Sequence, residues 1–234
     1  LWPLKINAAD WKTGSHMINF DVARQNMVEN QLRPNGITDE RVLTAMGCVA
    51  RECFIQPSHQ GIAYVDEDIS LGQGRYLMEP MVMARLLQAA NIGPDDVILD
   101  IGCGSGYTAA VCANLGATVV ALECDPTLGA NATRIMEEKE IDNVVVIESP
   151  LNEGFAAQAP YDVIIFSGAV PEIPPAILNQ LSDGGRLAAI VSKSQGLGHG
   201  TLAQNENGTI GQRVLFDSAL PLLPDFEPKP SFVF

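Results

Sequence analysis

The sequence has 234 residues, 47% of them hydrophobic, and a formal net charge of −14 at pH 7. An electrostatic grip on nucleic acid needs clustered Lys and Arg to displace phosphate counterions; none occurs here, so nucleic-acid binding is disfavoured. Apolar runs fall short of the ~18–20 residues that span a bilayer, and Cys48, Cys53, Cys103, Cys112 and Cys124 lack metal or C-x-x-C spacing, which argues against a membrane protein, a zinc site or a disulfide framework and points to the cytoplasm.

Gly14-Ser15-His16-Met17 reads as the scar of a cleaved affinity tag, so residues 1–16 are set apart as an expression leader, with Trp2 and Trp11 its expected anchors on an apolar surface. Phe20, Ala23, Met27 and Val28 recur at helical spacing over 20–31, and Pro34-Asn35-Gly36 ends the pattern. Thr38 is the expected cap of a second helix that turns Val42, Leu43 and Met46 inward. The stretch 61–80 is Gly-interrupted and reads as irregular, bent at Gly72-Gln73-Gly74 ahead of a helix over 81–90. From residue 97 onward strands (97–101, 118–123, 144–147, 163–166, 186–191) alternate with helices, the signature of a parallel sheet covered on both faces. Segments 202–204 and 212–216 flank Asn207-Gly208 and predict an antiparallel hairpin at the sheet edge. The expected fold class is therefore α/β, a Rossmann-like sandwich with a mostly parallel sheet, a C-terminal antiparallel hairpin and an N-terminal helical extension.

The segment VILDIGCGSGYTAAV places a buried strand directly before Gly102-Cys103-Gly104-Ser105-Gly106 and an Ala-rich helix after it. Glycines allow the tight turn and let a ligand approach the backbone. Asp100 ends the strand, where a carboxylate can accept from an ammonium group, and Glu123 ends the next strand about 20 residues on, the position from which a carboxylate accepts ribose hydroxyls. Tyr107 stands where the dinucleotide fingerprint has its third Gly, so the loop suits S-adenosyl-L-methionine, which carries no pyrophosphate, better than NAD. His59 and His199 have no carboxylate at readable spacing and read as surface or packing residues; Cys103 reads as a small side chain filling the turn. Ser167 lacks a surrounding G-x-S-x-G, which argues against a hydrolase.

Several separated motifs, ARQNMVENQLRPNGITDERVLTAM, LGQG followed by Pro80, the Gly loop, YDVIIFSGAVPEIPPAIL and LSDGGRLAAIV, occur in the order in which the protein-L-isoaspartate O-methyltransferase family shows them, and the chain resembles that family over nearly all of residues 17–234. The resemblance implies carboxyl methylation of damaged proteins, S-adenosyl-L-methionine as cofactor and S-adenosyl-L-homocysteine as product, with Gly102, Gly104 and Gly106 round the methionine and ribose and Glu123 on the ribose hydroxyls. It also implies a protein or peptide acceptor, or a small carboxylic acid; the oligomeric state stays open. On this basis residues 17–80 are an N-terminal helical extension with an acceptor loop, and 81–234 the cofactor-binding domain. The family's loop Thr-Ile-Ser-Gln-Pro is here Tyr76-Leu77-Met78-Glu79-Pro80, which removes hydroxyl donors for a carboxylate. Arg75 and Tyr76 are candidate replacements and Glu79 a candidate base or orienting acid, all in acceptor positioning. Where the family has Gly-Asp near the adenine, this chain has Glu148-Ser149-Pro150, leaving Ser149 as the candidate contact. Two other readings remain open: a methyltransferase with a different acceptor, and a non-catalytic cofactor-binding sensor or partner protein.

Overall fold

Asn19 is extended and its side chain accepts from the Val22 N–H at 3.1 Å, which starts α1 (Phe20–Asn26). The chain continues through a π-helical run (Met27–Leu32) and one 3-10 turn (Arg33–Asn35), and stops at Gly36 with φ +89. Helix α2 (Glu40–Cys48) is capped by Asp39 rather than Thr38: the Asp39 carboxylate takes the Arg41 N–H at 2.9 Å, while the Thr38 N–H donates to Gln88 at 2.7 Å. The stretch expected to be irregular contains a short antiparallel hairpin, β1 (Ile69–Gly72) and β2 (Arg75–Leu77), turned through Gln73 and Gly74 at positive φ. Helix α3 (Pro80–Ala90) has Pro at its first position, and Asp68 and Asp66 receive the Glu79 and Met81 N–H groups at 2.8 and 3.2 Å.

The structure, a computed structural model, describes residues 18–192 and 197–226; the expected leader, with Trp2 and Trp11, lies outside them. Strands β3 (Val97–Ile101), β4 (Thr118–Glu123), β5 (Val144–Glu148), β6 (Tyr161–Val170), β7 (Leu181–Val191), β8 (Gly198–Glu206) and β9 (Thr209–Ser218) form one sheet in the order β5-β4-β3-β6-β7-β8-β9. Pairings from β5 to β7 are parallel, and β8 and β9 add the antiparallel edge hairpin. Helices α4 (Tyr107–Ala113) and α5 (Pro126–Glu138) make the crossovers on one side; between β6 and β7 the helix is reduced to a single turn, α6 (Pro175–Leu178). Alternate residues of β3 and β6 supply the two faces. Ile98, Val163 and Ile165 pack with Met27, Leu43, Met46 and α3, whereas Leu99, Ile101, Ile164 and Phe166 form the opposite core. Strand order reverses between β3 and β6, which opens a crevice at their carboxyl ends. After β9 the chain returns over this crevice: the Ala169 N–H donates to the Pro221 carbonyl at 3.0 Å and the Leu223 N–H to the Ala169 carbonyl at 2.8 Å. Among the described residues no helix is long and apolar enough to cross a membrane.

Candidate active site

The crevice is floored by the loop after β3. Gly102, Gly104 and Gly106 all adopt left-handed φ values (+78, +58 and +92), which an L side chain rarely adopts. The Gly102 and Cys103 N–H groups both donate to the Leu122 carbonyl, at 2.8 and 3.0 Å, tying the loop to β4. Cys103 is buried and its thiol is pushed well above the usual range by desolvation, in keeping with a residue that fills the turn.

Two carboxylates flank the loop, each delivered by the end of a parallel strand. Asp100 is fully buried; one oxygen accepts from the Ser167 hydroxyl at 2.6 Å and the other has no partner. Desolvation pushes its pKa up to about 7, against the pull of the Ser167 bond. Glu123 is also fully buried and is crowded with donors: Oε1 accepts from Arg75 at 2.5 Å and from the Cys124 and Asp125 N–H groups at 2.9 and 3.0 Å, and Oε2 accepts from the Gly104 N–H at 2.7 Å. The second Arg75 amine donates to the Gly102 carbonyl at 2.8 Å. Arg75 is only 3% exposed, so its fork is spent inside the crevice on Glu123 and the Gly loop, in place of the expected offer to an acceptor carboxylate. Period-two alternation along β2 explains this: Arg75 and Leu77 turn inward and Tyr76 outward.

Of the remaining candidates, Tyr76 is exposed and Glu79 half-buried. Burial, then repulsion from Asp66 and Asp68, pushes the Glu79 carboxyl up to about 7. Met78 faces the core, and only its carbonyl serves the loop, accepting from Arg51 at 2.6 Å. Ser149 donates its N–H to the Glu123 carbonyl at 3.1 Å, which puts it beside β4 at the rim of the crevice, and Glu148 is exposed. Sequence reading missed three participants. Ser167 was weighed only as a nucleophile and instead orients Asp100. Arg51, fully buried in an undistinguished stretch, holds the Ala63 and Met78 carbonyls and lies 4.9 Å over the Tyr107 ring, joining the acceptor loop to the helix after the Gly loop. Leu223 covers the floor: a Cβ on Gly102 would fall 2.7 Å from its methyl, and Gly168 is in equally close contact with it. His199, expected to lack an acid, pairs with Asp217 at 2.8 Å because the two are cross-strand neighbours, a relation that chain spacing hides.

Beside the crevice, a small hollow lined by Arg75, Tyr76, Ser167, Gly168 and residues 220–223 holds about 10 Å³. That is near the least that holds one water, whereas small-molecule sites run to about 300–1,000 Å³. The crevice has the polar fittings of a cofactor site, with Leu223 lying over Gly102 and Gly168 and Arg75 bonded to Glu123 and the Gly102 carbonyl.

The family model described as Protein-L-isoaspartate(D-aspartate) O-methyltransferase (PCMT) matches residues 23–218. A protein-L-isoaspartate O-methyltransferase of Koribacter versatilis (strain Ellin345) is 39% identical over 179 residues, 76% of this chain and 81% of that protein. One of the same name from Methanoculleus marisnigri is 38% identical over 168 residues, 72% of this chain and 76% of its own. Among solved structures, a protein-L-isoaspartate O-methyltransferase superposes with a TM-score of 0.77 at 23% identity, over 86% of this chain and 65% of its own. A putative one from Plasmodium falciparum, solved with S-adenosyl-L-homocysteine, gives 0.73 at 21% identity, over 88% and 98%. At such identities the two structures speak for the fold alone.

Proposed function

This chain belongs to the protein-L-isoaspartate O-methyltransferase family, and from that premise we propose that it uses S-adenosyl-L-methionine to methylate a carboxylate of a damaged protein or peptide, with an acceptor side of its own. The observation that carries the reading is the pair of buried strand-end carboxylates, Asp100 and Glu123, flanking three glycines at left-handed φ. These residues fit the cofactor. The unpartnered oxygen of Asp100 suits an ammonium, the Glu123 carboxylate suits vicinal hydroxyls, and the glycine floor lets a flat ligand lie against the backbone. Ser149 at the rim is the candidate contact for the adenine.

The cofactor, when bound, supplies a methyl group activated on a sulfonium. The rest of the work falls to alignment and exclusion of water, effects that reach about 7–11 kcal/mol in ideal geometry. A carboxylate acceptor is already ionised and needs no strong base. Glu79 then acts as a donor: with its pKa near neutrality, a protonated fraction offers O–H to the acceptor carboxylate, and the exposed Tyr76 of the same loop offers a phenol. Incubation with methyl-labelled S-adenosyl-L-methionine tests the proposal. A base-labile label on an isoaspartyl peptide, and none on the ordinary aspartyl peptide, is expected; no transfer to either peptide or to small carboxylic acids would sink it. Met78, buried where the family loop carries a hydroxyl, favours a second reading, a protein that binds the cofactor without transferring its methyl, and binding without any labelled acceptor is its signature.

A further inference from the structure

Closure of the crevice has a defined source. Residues 220–226 run across the carboxyl ends of β3 and β6, fixed by the paired backbone bonds to Ala169, by the Leu151 N–H donating to Asp225 at 3.0 Å, and by Phe226 edge-on to Phe166 at 5.7 Å. Leu223 is 3% exposed and its methyls fill the gap over Gly102 and Gly168 at the switch point of the sheet. In α/β folds this gap is where a ligand lies. Neither glycine has a side chain to present, so the leucine supplies the apolar cover that would otherwise be lacking. A ligand laid against the Gly102 and Gly168 backbone would take the place of the Leu223 methyls.

We propose that residues 220–226 are a strap that shuts the cofactor crevice, and that cofactor and Leu223 compete for the surface of Gly102 and Gly168. The inference rests on reading the crevice as the cofactor site. Arg75 closes the second half, since its bonds to Glu123 and to the Gly102 carbonyl must yield before hydroxyls can take that carboxylate. The affinity of the wild-type protein is therefore the intrinsic affinity scaled by the fraction of molecules with the strap open. Asp225, which holds the strap to the Leu151 N–H, helps to set that fraction.

The probe is S-adenosyl-L-homocysteine, measured by stopped-flow and calorimetry on the wild-type chain, Leu223→Ala and Asp225→Ala, with circular dichroism as a check on folding. Both variants are expected to bind faster and tighter, Leu223→Ala by about tenfold. Hydrogen exchange supplies a second measurement on the unmutated protein: the Leu223 amide, bonded to Ala169, is expected to lose protection when the ligand saturates. Equal or slower association in folded variants, or a Leu223 amide better protected with ligand than without, overturns the strap. Should Leu223→Ala misfold, Asp225→Ala and the exchange experiment decide alone. Failure of the functional reading looks different: the wild-type chain binds with the expected strap response and transfers no label. Absence of binding in all three proteins overturns the strap as well, because something other than Leu223 would then be excluding the ligand.

Discussion

Arg75 and Glu123 are held out of water together, and each carries the charge that balances the other. Removing one partner of a buried pair leaves an uncompensated charge, at a cost of about 3–5 kcal/mol. Arg75→Ala is therefore expected to lower the unfolding free energy by that amount in urea titration, and a loss below about 1 kcal/mol would show that Glu123 finds other compensation. Asp100 makes a second prediction of opposite character. Its pKa rises from 3.8 to about 7 on folding, so the native state holds a proton that the unfolded chain releases. That contribution is complete below the unfolded value and is lost as pH rises through about 4 to 7. Glu79 adds a slope of the same sign. Asp100→Asn should flatten the decline in urea midpoint between about pH 4.5 and 7.5; an unchanged slope would remove Asp100 from the titration.

Elements with a long, unbroken apolar signal were legible, and those defined by contact were not. Strands β3 and β4 read directly because both faces are buried and their ends are marked by Gly102 and Glu123. The β1–β2 hairpin did not, since strands of four and three residues offer too few alternations and Gly72 and Gly74 masked them. Asp100, the glycines and Glu123 could be placed because strand ends fix them; Arg75 was named but misdirected, because the inward phase of a three-residue strand cannot be read from its neighbours. The 220–226 stretch is apolar and Pro-interrupted, with no period to mark it, and its role exists only where it lies over the glycines. Arg51 is the clearest case of an element held from outside: the first residue of a 3-10 turn (Arg51–Phe54) fastens the acceptor loop through the Ala63 and Met78 carbonyls. Arg51→Met keeps the apolar stem and deletes both bonds. A stability loss of about 1.5–3 kcal/mol or more is expected from loss of charge-assisted bonds, and an unaltered urea midpoint would refute the clamp.

At the scale of the whole molecule, the N-terminal helices share one apolar cluster with α3, α4 and the sheet: Met27, Leu43 and Met46 belong to the same contiguous core as Ile98 and Val119. The sequence suggested a seam near residue 80, and packing runs across it. One cooperative transition is therefore expected, with far-ultraviolet and tyrosine signals coinciding in urea; separated midpoints would mean that residues 18–80 unfold on their own.

The hairpin that closes the sheet turns through Asn207 and Gly208, both at left-handed φ (+54 and +82), and the Gly208 N–H donates to the Asn205 side chain at 2.9 Å. An asparagine followed by glycine is the pair in which the next backbone nitrogen most readily attacks the side-chain amide, closing a ring that reopens to an isoaspartyl linkage. In the folded turn that nitrogen is occupied, so the geometry that makes the turn also sets the chemical age of the chain. We expect Asn207 to deamidate slowly in native protein and quickly in urea, as peptide mass spectrometry of samples aged side by side would register; equal rates would mean that the turn gives no shelter.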